Sequence, residues 1–325
     1  MPKAIRVHDH GGPEKMVLED VPVGRPGPGE ALIRHTAIGL NFLDTYYRSG
    51  LYPAPNGLPL IPGGEGAGVV LEAGEGVTGL KAGDRVAYTF PTGAYCEQRV
   101  IKADRLVTIP DGVSDEQAAA IMLKGMTAAY LLLRTYPVKP GDTVLFHAAA
   151  GGVGLLFGPW AKSLGATVIG TAGGPDKVAL AKAHGYDHVI DYRNDDFVAR
   201  VGEITGGRKC DVVYDSVGVD TYMGSLDCLR PLGMLVLFGQ SSGPIPPFNL
   251  GLLAQKGSLY VTRPTLFVYI AKRADLELFA SALFGVISRG VVDVQINQRY
   301  ALADAAQAHA DLEARRTTGT TILLP

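Results

Sequence analysis

"DTVLFHAAAGGVGLLFGPWAKSLGATVIGTAGGPDK", residues 142–177, reads as a strand, a glycine-rich turn, a helix and a second strand. Within it, "AAAGGVG" (148–154) sets Gly151, Gly152, Val153 and Gly154 where a dinucleotide fingerprint would lie. Gly151 lets backbone approach a pyrophosphate, Gly154 lets the new helix pack closely on the strand, and amides at the helix N-terminus can hold phosphates. Ala149 stands where the first glycine of GxGxxG would be, so the bare motif is weak. Its setting decides the reading: a strand before, a helix after, and a second strand at the expected distance.

The end of the second strand selects the dinucleotide. A site for NAD places a carboxylate there to bind the ribose 2′-hydroxyl. Here the strand ends "GTAGG" (170–174), with Gly173 and Gly174 and no acid. Asp176 follows in the next helix's first turn, where a carboxylate ordinarily compensates the helix dipole. Lys177 comes next, and Tyr192 and Arg193 close the third strand in "DYRN". A lysine at that place is by itself an ordinary solvated residue; the missing acid carries the inference. Positive charge, donors and no repulsion suit a 2′-phosphate, so NADPH is expected over NADH.

Residues before this unit are β-rich. "KAIRVHDHGG", "ALIRHTAIGLN", "GAGVVLEAGEGV" and "DRVAY" are short β-branched runs closed by turn residues, spaced as in a compact, partly antiparallel barrel. From Ser114, with Gln117 completing a capping box, the period becomes helical. Strands then alternate with helices, which predicts a parallel, doubly wound sheet. The last stretch returns to the first pattern. Three segments are expected: 1–125 and 263–325 forming one catalytic domain, and 126–262 the inserted dinucleotide domain.

Composition excludes several function classes. With 47% hydrophobic and 19% charged residues among 325, the chain can bury a sizeable core. A net charge of −2 and no basic stripe argue against nucleic-acid binding. Cys96, Cys210 and Cys228 are widely spaced, which suits a reducing compartment and no disulfide framework. A polar start and no apolar run of about 18 residues point to a cytoplasmic protein with no membrane association.

The stretches "HGGPE", "AIGLNFLDTYYRSGLYP", "GGEGAGVV", "AGDRVAY", "LKGMTAAYLL", "FHAAAGGVG", "DVVYDSVG" and "GSLYVTRP" resemble the medium-chain dehydrogenase/reductase superfamily. More closely, they resemble its zinc-free quinone oxidoreductase (zeta-crystallin-like) branch, through nearly the whole chain. The resemblance implies an α/β protein: a GroES-like β-rich catalytic domain holding an inserted doubly wound Rossmann domain, with the active site in the cleft between them. It also implies NADPH contacts at Asn41, Tyr130, Gly151, Gly152, Val153, Gly173, Gly174, Lys177, Tyr192, Ser216, Val217, Phe238, Gly239, Ser241, Ser242, Arg263, Pro264, Thr265 and Arg315. Arg315 is also what helix-dipole compensation would place at a helix end.

The superfamily's zinc enzymes hold catalytic zinc with an early cysteine and a histidine in a Gly-His-Glu segment. The matching places here hold Asn41 and Gly64, and Glu65 alone could not hold the ion, so no metal is expected. No residue stands out in the sequence as a replacement for that Lewis acid. Quinones need less help, being good electron acceptors; a flat slot against nicotinamide with one or two donors suffices. The resemblance places Asn41 near the nicotinamide and Tyr46 and Tyr52 along the acceptor pocket, as the catalytic set. The expected function is NADPH-dependent quinone reduction. The alternatives are reduction of α,β-unsaturated carbonyls, or a low-turnover NADPH-binding or RNA-interacting protein. "GSLYVTRP" (257–264) is expected to be an exposed sheet edge, with Leu259, Tyr260 and Val261 pairing two copies into a homodimer.

Overall fold

The computed structural model describes residues Met1–Pro325 and divides into two compact units. Unit 1 is Met1–Met126 with Lys272–Ser288 and Val294–Pro325; unit 2 is Thr127–Ala271 with Arg289–Asp293. The return expected at residue 263 comes later in this division, so Arg263, Pro264 and Thr265 belong to unit 2. No helix is long and apolar enough to cross a membrane.

Unit 1 begins with the hairpin β1 (Lys3–Val7) and β2 (Met16–Asp20), paired antiparallel. β3 (Glu30–Gly39) leads into helix α1 (Phe42–Ser49), which Asn41 caps. β4 (Glu65–Ala73), β5 (Arg85–Thr89), β6 (Gln98–Lys102) and the two-residue β7 (Val107–Thr108) follow. Helix α2 (Asp115–Tyr130) carries the chain out of unit 1. It opens on the expected capping box: Gln117 N donates to Ser114 Oγ at 3.1 Å, and Ser114 N to Gln117 Oε1 at 2.9 Å.

Unit 2 is a run of parallel strands and helices. In chain order these are β8 (Thr143–Phe146), α3 (Gly154–Ser163), β9 (Thr167–Ala172), α4 (Pro175–Ala183), β10 (His188–Asp191) and α5 (Phe197–Ile204). Then come β11 (Cys210–Asp215), α6 (Tyr222–Asp227), β12 (Leu229–Leu237), α7 (Gly251–Gln255), β13 (Tyr260–Thr262) and α8 (Leu266–Tyr269). All neighbouring pairs are parallel, in the order β10-β9-β8-β11-β12-β13. The order reverses between β8 and β11, which makes the carboxyl ends of those strands the place for a ligand. β12 already starts at Leu229, so "LRPLG" is strand, and its register against β11 shifts between Cys210 and Val212.

The chain returns to unit 1 with α9 (Arg273–Ser288), β14 (Ile296–Ala301), α10 (Ala305–Glu313) and β15 (Thr320–Leu324). The sheet order is β14-β15-β3-β4-β5-β7, with β6 also on β3. Its core includes Ile33, Ile38, Val70, Val86, Tyr88, Leu302 and Leu323. The core of unit 2 gathers Leu145, Ile169, Val213, Leu226 and Leu235. In unit 2, Leu145, Ile169, Val213 and Leu235 come one from each of four neighbouring strands, and Leu226 packs on them from α6.

Gly154 shows why the fingerprint needs glycine at its end. A Cβ there would lie 2.4 Å from Ala149 O and 2.6 Å from Ala148 O, both backbone atoms that cannot swing aside. Gly154→Ala should therefore destabilise the protein by about 1–3 kcal/mol, read as a lower urea midpoint at unchanged slope. An unchanged midpoint would mean that α3 can shift away from β8 freely.

Candidate active site and cofactor site

In unit 1 the expected acceptor residues gather around α1. Asn41 is buried and its Nδ2 donates to Glu65 Oε1 at 2.8 Å. Tyr46 and Tyr52 are half-buried, their rings 5.4 Å apart, and Tyr52 N donates to Tyr46 O. Burial and the neighbouring Tyr52 push the Tyr46 hydroxyl above its ordinary value. The three residues are thus strung along one short helix, Asn41 at its N-cap, Tyr46 within it and Tyr52 just past its C-cap Gly50, with the Tyr46 phenol held neutral as a hydrogen-bond donor.

Sequence reasoning missed what holds Asn41. Glu65, wholly buried at the start of β4, also accepts from Leu123 N at 2.5 Å and from Lys124 Nζ at 3.0 Å. Lys124 Nζ donates to Leu40 O as well, at 3.2 Å. Lys124 is the sole charged residue between Glu116 and Arg134, a signal visible in "AAAIMLKGMTAAYLLL". A cation inside so apolar a helical run has a partner or a task.

A second chain of bonds fixes the other side of α1. Arg48, buried, reaches Gly11 O, His309 Nδ1 at 2.9 Å and Glu313 at 2.7 Å. Burial and Arg48 hold His309 down to about 3, so its ring is neutral. Arg48 must donate to Nδ1, which leaves Nε2–H to donate to Tyr95 Oη at 3.0 Å and the phenol to donate to Asp44 at 3.2 Å. Asn41 N donates to the same Asp44 oxygen.

In unit 2 the remaining residues line the carboxyl ends of the strands. Gly151, Gly152 and Val153 form the turn after β8, their surface at least partly open. Ala148, not a glycine, takes the left-handed backbone there, at φ 58°. His147, beside the fingerprint, spends its ring nitrogens on Thr171 Oγ1 and Ser225 Oγ, each at 2.9 Å. Ser225 and Thr221 in turn donate to Asp215, whose Oδ1 also takes the Val217 and Gly218 amides. Ser216, Val217, Phe238, Gly239, Ser241 and Ser242 form one edge: Phe238 N bonds Asp215 O, Ser241 N bonds Ser216 O, and Ser242 N bonds Val217 O. Arg263 donates to Leu237 O at 3.1 Å, Thr265 caps α8, and buried Tyr130 stacks on Tyr269 at 4.4 Å. Arg315 lies in unit 1, just past the end of α10 rather than within it, at φ 58°.

The 2′-phosphate reading can be tested on Gly173. A Cβ there would meet Tyr192 Oη at 2.6 Å and Arg193 Nε at 3.1 Å, so phenol and guanidinium crowd the acid-free loop with Lys177 nearby in α4. One carboxylate does reach this loop: Asp191, at the end of β10, accepts from Gly174 N at 2.9 Å, Arg193 N and Asn194. Those bonds hold its carboxyl below the usual range and turn it into a brace for the turn. Donors and positive charge at Gly173 fit a phosphorylated ribose.

Zinc does not fit unit 1. Gly64 brings no side chain, Asn41 and an ammonium face Glu65, and no group of three or more His, Cys, Asp or Glu could hold a metal ion. At the sheet edge, Tyr260 and Val261 are exposed on β13, while Leu259, expected there too, is buried at 6% exposure. It precedes the strand and turns into the core of unit 2.

Residues 27–139 match the family described as Alcohol dehydrogenase GroES-like domain, and residues 152–271 the family Zinc-binding dehydrogenase. A quinone oxidoreductase of Pseudomonas aeruginosa is 56% identical over the full length of both chains. A 2-haloacrylate reductase of a Burkholderia species is 46% identical over 100% of this chain and 99% of that one. The crystal structure of Escherichia coli quinone oxidoreductase complexed with NADPH is 50% identical, with a TM-score of 0.96 over 99% of this chain and 100% of that one.

Burial raises Asp44 to about 7, reinforced by Glu65 and opposed by the Asn41 amide, Tyr95 and Lys124. A carboxyl whose folded value lies above its unfolded one favours the folded state fully below about pH 4, and loses that contribution as pH rises through 7. Asp44→Asn should remove this slope, about 1.4 kcal/mol per pH unit across the window. Denaturant midpoints of both proteins between pH 5 and 8.5 would check it; parallel curves would refute it. The chain belongs to the quinone oxidoreductase branch of the medium-chain dehydrogenase/reductase superfamily.

Proposed function

We propose that this protein is an NADPH-dependent quinone reductase that needs no metal. The observation that carries the reading is the α1 segment, along which Asn41, Tyr46 and Tyr52 offer donors and aromatic walls, in a chain alike over its full length to quinone oxidoreductases. When bound, NADPH supplies the hydride equivalent. The chain's own residues bind and orient. The Gly151–Gly152–Val153 turn with α3 receives the pyrophosphate, and Lys177, Tyr192 and the Gly173–Gly174 loop receive the 2′-phosphate. Tyr130, Ser216, Val217, Phe238, Gly239, Ser241, Ser242, Arg263, Pro264, Thr265 and Arg315 complete the cofactor's contacts. Asn41, Tyr46 and Tyr52 hold the acceptor ring.

A second reading, reduction of α,β-unsaturated carbonyls, is favoured by the 46% identity to a 2-haloacrylate reductase, whose named substrate is an activated alkene. Steady-state NADPH oxidation should be faster with 1,4-benzoquinone than with a simple enone; the reverse order would replace the first reading by the second. In the same assay, Lys177→Ala should raise KM for NADPH far more than for NADH. Losing one charge-assisted contact to phosphate costs about 1.5–3 kcal/mol. Equal losses with both cofactors would remove Lys177 from the phosphate site.

The protein works in the cytoplasm, in keeping with three buried cysteines that are all free. It assembles as a homodimer through β13, whose outer edge has no partner strand and exposes Tyr260 and Val261. Val261→Pro would take a donor from that ladder and should weaken the dimer before it unfolds the subunit. Light scattering that finds a monomer at micromolar concentration for the unaltered protein would end this proposal.

A further inference from the structure

Lys124 is a cation that the proposed cofactor and acceptor contacts leave without a task. Its ammonium bridges Glu65 Oε1 and Leu40 O, and these groups adjoin Gly64 and Asn41, the two places where metal-dependent relatives carry ligands. Positive charge therefore lies where no residue stands out in the sequence as a replacement for a Lewis acid. Glu65 Oε1 receives both Lys124 Nζ and Asn41 Nδ2, so the ammonium and the amide converge on one oxygen. An ammonium has three N–H groups, and two are spent. The Glu65 side chain is fully buried, whereas 11% of the Lys124 side chain stays accessible, and the third N–H has no partner in the protein.

We infer that Lys124 is a further catalytic residue, whose free N–H hydrogen-bonds the quinone oxygen beside Asn41 and stabilises the negative charge that grows there. This rests on the quinone-reductase reading. Addition of a hydride equivalent brings two electrons and one hydrogen nucleus to a neutral quinone, whose C=O π bond breaks as the ring becomes aromatic. The product is then one proton short of a hydroquinone, and the charge sits on oxygen until water supplies that proton. A preorganised ammonium in a site shielded from water holds an oxyanion far better than it holds the neutral carbonyl. Glu65 is the positioning residue: it fixes the ammonium and the amide together and keeps the site near neutral overall.

Lys124→Met alone would strand the buried Glu65 carboxylate and endanger folding. The informative variant is Glu65→Gln/Lys124→Met, which removes both charges and keeps volume, with Lys124→Arg as the conservative control. On the poorest acceptor of a quinone series, kcat of the double variant should fall about 100-fold, less on the strongest acceptor, with the NADPH dissociation constant unchanged. A second readout needs no turnover. Bound to the enzyme saturated with NADP+, 4-nitrophenol should be shifted toward its coloured phenolate about tenfold, and the double variant should lose that shift while Lys124→Arg keeps it. Either a kcat within twofold of the unaltered enzyme on the poorest acceptor or an unchanged phenolate fraction overturns the assignment. Failure of the unaltered enzyme to reduce any quinone overturns instead the reductase reading beneath it.

Discussion

A carboxylate sealed from water must find donors, and unit 1 is arranged around that demand at Glu65. Three groups meet it from three directions: the amide of Asn41 ahead of α1, the backbone of Leu123, and the Lys124 ammonium on α2. The crowding reaches β3, where any side chain at Gly39 would strike Glu65 Oε1 at 2.3 Å and Ala119 O at 2.4 Å. One buried charge thus fixes the start of α1, the approach of α2 and a residue type on β3. The position of Asn41 follows from it directly.

Unit 2 uses the same device at Asp215. Its oxygens take two backbone amides and the hydroxyls of Thr221 and Ser225, and Ser225 continues through His147 to Thr171. Serine, histidine and aspartate stand in hydrogen-bonded series, yet the order is wrong for nucleophilic catalysis: the serine gives its proton to the carboxylate, and the histidine is not oriented by it. The series instead ties the ends of β8, β9 and β11 in register, the three strands whose following turns are proposed to hold the cofactor. Burial keeps His147 below its ordinary value, so it serves as a neutral link.

Patterns set by local chemistry were legible in the sequence. The glycine turn, the alternation of strand and helix and the Ser114–Gln117 box all depend on neighbours within a few residues, and the structure realises each. Leu259 was misread because exposure along a short edge depends on which residue the strand begins with. Asp191 was overlooked since it brackets Gly174 from the adjacent strand, 17 positions away. Glu65 and Lys124, 59 apart, were read as an inadequate ligand and part of a family motif, because a pairing across that distance leaves no local trace. The lone cation in an apolar helix was the one clue.

The order of strands bears on how the chain is made. β3 pairs on one side with β15, Gly39 opposite Ile322 and Ile38 opposite Leu323, and Leu40 N bonds Thr321 O. β15 follows every strand of unit 2 in the chain, so during synthesis the edge of β3 leading to Asn41 stays bare while all six of those strands are already out. An unpaired edge is an invitation to foreign chains. The usual vectorial order, in which the N-terminal part finishes first, is thereby inverted: the inserted sheet can close early, and the surrounding one waits for residues 320–324. Nascent protein of this design spends its most vulnerable interval with the backbone leading to Asn41 exposed, and a chaperone that shields residues 38–40 would guard the step on which the finished fold depends.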